Sequence, residues 1–403
     1  MKRLAACLGL ASTGLLLALT APPTNPFLLA SQAMGDLKGR ANYVLPVVRL
    51  RQLRVSYAAA GPAEWGNYLQ ALSNYETLVG ETDSAAYRWQ QLGVPPLAPI
   101  TGTPLVVQPA ASAILARTST QQMVLFNEAH TQPKGRQLVS SLLPALYRQG
   151  FRYLALEALA AEDTAHLRQR GFPTLASGYY VAEPHMANLV REAQKLGFRL
   201  VAYDAMSSSR EHDQARNLWT ATLQRQPRAR VLVLAGHAHI NERPDTEFKS
   251  MAQWLRELSG IDPLTINQTD LDQAAISQLA PATGAWVVSD ARWQPQKAPM
   301  LNDVYVINHL SLRDGKAFAA ASQTISRLTI PADSLAPGAA YALLVYRQAE
   351  AQAVPNPVPV ATQWLPAGVS TSIQLTLQPG RYVAEVHDEH GKCCWRQQLV
   401  IKQ

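Results

Sequence analysis

Between residues 119 and 310 the chain alternates short apolar runs with longer segments whose apolar residues recur every three or four positions. Met123–Phe126, Tyr153–Leu156, Arg199–Tyr203 and Val231–Ala235 are too short for helices and apolar over most of their length, the pattern of strands buried on both faces. The helical pattern that follows the first run is Leu138/Val139/Leu142/Leu143/Leu146. The others are Leu189/Val190/Ala193/Leu196, Ala215/Leu218/Trp219/Thr222 and Phe248/Met251/Trp254/Leu255/Leu258. Pro144 falls inside the first of these and predicts a kinked or shortened helix. Repeated strand–helix units predict an α/β fold with a mainly parallel sheet covered by helices.

Two other territories flank this one. Over residues 35–92 the pattern is helical, with Trp65, Tyr68, Leu69, Leu72 and Tyr75 on one face, and residues 93–112 carry five prolines and predict a crossing. From about residue 325 the runs Ala340–Tyr346, Ser372–Leu377, Tyr382–Val386 and Gln398–Ile401 alternate between Pro/Gly turns, predicting a C-terminal all-β sandwich as an accessory domain. Through that sandwich the chain is expected to associate with the cell envelope.

The residues at the ends of the central strands carry the chemistry. Met123–Phe126 gives way to Asn127-Glu128-Ala129-His130; Tyr153–Leu156 ends on Glu157; Arg199–Tyr203 ends on Asp204; Val231–Ala235 ends on Gly236-His237-Ala238-His239. In an open parallel sheet the carboxyl ends of all strands face one side, and ligands bind there. The expected crevice therefore gathers Glu128, His130, Glu157, Asp204, His237 and His239. Arg210, at the start of a helix, is expected to neutralise a substrate carboxylate or an oxyanion. Glu211 and Asp213 behind it read as ordinary partners of the helix dipole. His185, opening the Ala187–Gly197 helix, is a candidate loop ligand.

Composition narrows the class. A net charge of +7 over 403 residues is mild, and no basic run interleaved with aromatics marks a nucleic-acid partner. Met1-Lys2-Arg3, the apolar stretch Leu4–Ala21 and Pro22-Pro23 form the pattern of a secretory signal peptide, cleaved after Ala21 or as late as residue 33. A retained N-terminal anchor is the alternative. The expected location is the periplasm, the medium or the cell surface. With the signal removed only Cys393 and Cys394 remain, and neighbours in sequence sit too close to bridge each other.

The motifs resemble the erythromycin esterase/ChaN-like superfamily. Asn127-Glu128-Ala129-His130, Leu156-Glu157-Ala158, Arg210 with Ala215, Asn217 and Leu218, and Gly236-His237-Ala238-His239 occur in that group's order, over about residues 119–245. The resemblance implies that His130 is the general base for water, that Glu157 supports it, and that Arg210 and His237 or His239 complete the site. The group usually has Gly where Asn127 stands and Met where Gln214 stands.

The expected function is an exported hydrolase of an ester-like bond, with an amide as the second substrate class and a small molecule as substrate. No Gly-x-Ser-x-Gly elbow is present, so direct attack by water is favoured over an acyl-enzyme. Glu128 or Glu157 would orient His130. No cofactor is required in this reading. A zinc-dependent version would use His130, His237 and His239 as ligands. The alternative from a different class is a non-enzymatic binder of haem or another periplasmic ligand, since the group includes haem-binding lipoproteins. Gly-His-x-His also closes calcineurin-like metallophosphoesterase sites, but their upstream motifs are missing before Gly236.

Overall fold

The computed structural model describes residues 24–35, 39–92, 105–243, 248–271, 280–289, 301–310 and 324–402. The stretch read as a signal peptide and most of the Pro-rich crossing lie outside them. Five helices come first: α1 (Pro26–Met34), α2 (Leu45–Gln52), α3 (Arg54–Ala59), α4 (Pro62–Leu78) and α5 (Thr82–Gln90). On α4 the face with Tyr68, Leu69, Leu72 and Tyr75 is buried, as the helical period predicts, whereas Trp65 packs at its margin. The late cleavage position falls within α1.

The central region runs β1 (Val107–Pro109), α6 (Ala110–Thr118), β2 (Met123–Glu128), α7 (Lys134–Arg148), β3 (Phe151–Leu156), α8 (Thr164–Arg170), α9 (Pro184–Leu196) and β4 (Arg199–Ala202). It continues through α10 (Arg210–Ala221), β5 (Arg230–Gly236), α11 (Met251–Ser259), β6 (Leu264–Asn267), β7 (Gly284–Val288) and β8 (Val304–His309). Eight strands form one sheet in the order β1-β7-β8-β6-β2-β5-β3-β4. The run from β8 to β4 is parallel, and β7 and β1 close one edge antiparallel. This is a mixed α/β fold with a large, mostly parallel sheet flanked by helices. One face of β2, β3 and β5 (Val124, Leu154, Leu232) packs on α7 and α9. The other face (Leu125, Ala155, Val233) packs on α10 and α11. Strands covered on both faces must be apolar at every position, which is why their sequences do not alternate.

Pro144 lies inside α7 and does not shorten it, the helix running on to Arg148. One local expectation is corrected. Phe248, assigned to a helix by period, precedes α11 and is 39% exposed; Ser250 starts that helix instead, its side chain accepting from the Gln253 N–H.

The C-terminal region has two antiparallel sheets. Strands β10 (Tyr341–Arg347), β11 (Ala361–Leu365), β13 (Gly380–Asp388) and β14 (Cys393–Ile401) pair in the order β11-β10-β13-β14, and β9 (Thr324–Ile330) pairs with β12 (Thr371–Leu377). Both sheets contribute to one core, with Leu328, Ile373 and Leu375 meeting Leu343, Val345 and Val386. The opposite face of the larger sheet, Ala342, Leu344 and Val383, packs on Val47, Leu50 and Leu72 of the N-terminal helices. A short helix, α12 (Gln348–Ala353), follows β10.

Candidate functional site

The strand order places the four chemistry-bearing ends side by side, since β2, β5, β3 and β4 are successive neighbours. Glu128 at the end of β2 is level with Gly236 at the end of β5, and Leu156, just before Glu157, is level with Leu234. The side chains that follow converge.

His130 is oriented through Nδ1, 3.0 Å from Glu128 Oε1. Tyr180 stacks on its ring, centroids 3.8 Å apart. Its other nitrogen, Nε2, faces Gly236: a Cβ built there would lie 2.9 Å from Nε2 and 3.1 Å from Glu157 Oε2. Position 236 therefore has no room for a side chain, whatever its φ. Glu128 is buried, which works against its charge, but the Arg136 charge and hydrogen bonds from His130 and Arg136 hold its carboxyl below the usual range.

Glu157 is the hub of the opposite wall. Oε2 accepts from the Gly236 N–H at 2.5 Å, Oε1 accepts from Arg210 Nη2 at 2.7 Å, and His239 Nε2 stands 3.6 Å from Oε1. Burial opposes ionisation, yet His239, His130 and the Gly236 N–H keep Glu157 far below the usual carboxylate range. It is a fixed anion at every physiological pH. Asp204 Oδ1 accepts from Arg210 Nη2 at 2.9 Å and from Gln214 Nε2 at 2.6 Å.

The two histidines of Gly236-His237-Ala238-His239 are held in opposite charge states. Burial pushes His237 down to about 4. Its Nε2 is buried without a hydrogen-bond partner among the described residues, and Trp89 of α5 stacks on its ring, 5.1 Å between centroids and 8° from parallel. Its φ of +23° is the one positive value at a non-glycine residue among those described, and such strain collects at functional sites. His239 is also shielded from solvent, but Glu157 and Glu211 outweigh that and push it up to about 9; its Nδ1 lies 2.7 Å from Glu211 Oε1. His239 is thus an imidazolium locked between two carboxylates.

These charge states fix a pH dependence of stability. His237 resists protonation when folded, so its contribution is present above an unfolded value of about 6.5 and is lost as pH falls through 4. His239 binds its proton more tightly when folded, so its contribution is complete below about 6.5 and is lost as pH rises through 9. Each is worth on the order of 2 kcal/mol. Thermal midpoints measured from pH 4 to 10 should decline less steeply on the acid side in His237→Asn and on the alkaline side in His239→Asn. Parallel curves for wild type and both variants would contradict the assignment.

Glu128, His130, Glu157, Asp204, Arg210, His237 and His239 thus stand in one connected cluster. His185 does not share it directly: its Nδ1 is 2.7 Å from Glu183 Oε1, and it lines a separate cavity of about 1280 Å³. Arg210 is also less free than expected, being tied to Glu157, Asp204 and the Ala205 carbonyl. Arg136, Glu183 and Trp89 escape sequence reasoning, and Glu211 reads there only as a partner of the helix dipole. Arg136 had a signal, a cation on the α7 stripe that buries Val139 and Leu143. Asn127 and Gln214, the two departures from the family pattern, both bond inside the site, Asn127 Nδ2 to the His237 carbonyl at 3.0 Å and Gln214 to Asp204.

Zinc ligation by the three histidines meets an obstacle. It lies at His239, both of whose nitrogens face carboxylates; the Glu128 contact at His130 Nδ1 leaves Nε2 for a ligand role. Among the described residues, the group whose ligand atoms approach within 4.8 Å of one another is Glu385, His387 and Cys393, on the C-terminal sheet. No described helix is long and apolar enough to cross a membrane.

No protein-family model matches the chain, and no curated protein matches it. Among solved structures, one described as bacterial protein toxins is 18% identical over 50% of this chain and 45% of that one, with a TM-score of 0.31. The type III effector HopBA1 is 14% identical over 43% of this chain and 91% of its own, also at 0.31. RRSP, a MARTX toxin effector domain from Vibrio vulnificus CMCP6, is 19% identical over 55% and 45%, at 0.30. The chain spans less than half the length of the first of these. Likenesses this slight carry no argument about activity.

Proposed function

We propose that this chain is an exported hydrolase of the erythromycin esterase/ChaN-like kind, cleaving an ester-like bond of a small molecule, with an amide as the second substrate class. The observation that supports it best is His130, fixed at Nδ1 by the buried Glu128 carboxylate while Nε2 faces Gly236 and the Glu157 carboxylate. A carboxylate on Nδ1 keeps the proton there and leaves Nε2 as the basic nitrogen. In this reading Nε2 takes a proton from water as the oxygen attacks the substrate carbonyl. The His130 imidazolium, stabilised by Glu128 and Glu157, then returns the proton to the leaving alkoxide as the C–O bond breaks.

Neutral His237, with Nε2 unpaired among the described residues, is the candidate donor to the carbonyl oxygen and to the oxyanion that follows. Arg210 and His239 act differently from a free electrophile. They neutralise Glu157 and so hold the wall against which His130 works. Trp89 stacks on His237 and Tyr180 on His130, aromatic faces suited to a substrate with an apolar body. We read the C-terminal sheets as a small accessory β-sandwich and the N-terminus as a signal sequence.

The test is a panel of model esters and amides offered to the purified protein before and after exhaustive chelation, with metal analysis of the same sample. Ester turnover that survives chelation is expected. Loss of turnover together with a stoichiometric metal would replace this mechanism by a metal-dependent one. The haem alternative is read from the same preparation: a Soret shift on adding haem, with no turnover of any ester, would favour it.

A further inference from the structure

The ion pairs behind His130 continue beyond Glu128. Arg136 is fully buried and bridges two carboxylates, its Nε and Nη2 donating to Glu128 at 2.5 and 3.0 Å and its Nη1 to Glu183 at 2.8 Å. Each carboxylate holds a histidine at Nδ1, Glu128 at 3.0 Å from His130 and Glu183 at 2.7 Å from His185. Arg136 Nη2 also donates to the His130 carbonyl at 3.0 Å. Five charged or titratable groups thus form one chain, with His130 at the crevice end. The His185 end lines the cavity of about 1280 Å³, together with Asn188 and Arg191.

We propose that Glu183 and His185 are positioning residues for His130, acting through Arg136 and Glu128. The proposal rests on the reading of His130 as the base. One guanidinium is shared between two carboxylates in a buried site, where charges act over the whole chain. When His185 is protonated it draws on Glu183, and Arg136 is left to neutralise Glu128 more fully. Glu128 then pulls less on the His130 proton. When His185 is neutral, Glu183 competes for Arg136 and Glu128 pulls harder. Around His130 stand also Glu157 after β3, Arg210 of α10, His237 and Tyr180. Around His185 stands Arg191, which is committed to Glu350 at 2.6 Å. None of these is altered in the test.

The experiment is nitrogen NMR of the full-length chain labelled at histidine, following the His130 ring through a pH titration. Glu183→Gln removes a negative charge from the far end and should lower the His130 titration midpoint by about half a pH unit or more. His185→Gln takes away the charge that a protonated His185 holds against Glu183, and should raise it. Opposite shifts are the expected result, because a merely structural role would not give them. No shift in either variant overturns the proposal, and a shift in Glu183→Gln alone overturns the part that concerns His185. Glu183 also caps α9 through the His185 and Met186 N–H groups; should its variant not fold, His185→Gln decides alone. The readout needs no substrate. Shifts in a protein that hydrolyses nothing keep the chain and discard the hydrolase, and hydrolysis without shifts does the reverse.

Discussion

Replacing Arg136 with methionine is expected to destabilise the protein by about 3–5 kcal/mol, measured as a fall in denaturant midpoint at unchanged slope. The arginine side chain has no solvent exposure, and Glu128 and Glu183, its two partners, are only 3% exposed each. Methionine fills much of the volume, so the loss is not a cavity effect. It is the burial of two carboxylates with no cation between them. Glu183, which burial would raise, is held at about 2 by His185 and Arg136, and Glu128 is also held low. Without Arg136 both take up protons more readily when folded. The deficit of the variant should therefore shrink as pH falls from 7 toward 5. A deficit under about 1 kcal/mol at pH 7, the range of a surface pair, would show that the bridge is not the buried structure described.

His130→Gln is expected to lower ester turnover by about two to four orders of magnitude, the usual contribution of a positioned general base. Glutamine can still bond Glu128 and lie under Tyr180, so the pocket persists while the basic nitrogen is gone. The His130 side chain is 17% exposed and stands at the rim rather than in the core. Folding stability should therefore change little, which separates this variant from Arg136→Met. The contrast separates the residue that holds the cluster together from the proposed base.

The central sheet was legible because strands covered on both faces must be apolar throughout, the pattern of parallel strands flanked by helices. Its consequence, that Glu128, Glu157, Asp204 and His237 come to one side, needs topology but no side-chain detail. The individual roles were less legible. Arg210 looked like a free cation at a helix start, but Asp204 and Glu157 lie within its reach once β3, β4 and α10 are packed. Glu211 looked like a dipole partner, yet it also caps α11, accepting from the Met251 N–H at 2.8 Å, and faces His239. Trp89 comes from a helix far upstream, where half-buried aromatics are ordinary packing, and no local pattern points it at His237. His185 belonged to the same chain of charges as His130, but its link runs through Arg136 and Glu183, whose pairing only the folded helices α7 and α9 bring about.

The central claim is that the imidazole of His130 activates water in this crevice. Its most direct test is kcat/KM for the fastest model ester, measured side by side on wild type and His130→Gln with thermal midpoints recorded on the same samples. A fall of about a thousandfold with an essentially unchanged midpoint is the predicted result. Equal turnover by the two proteins, both folded, would contradict it.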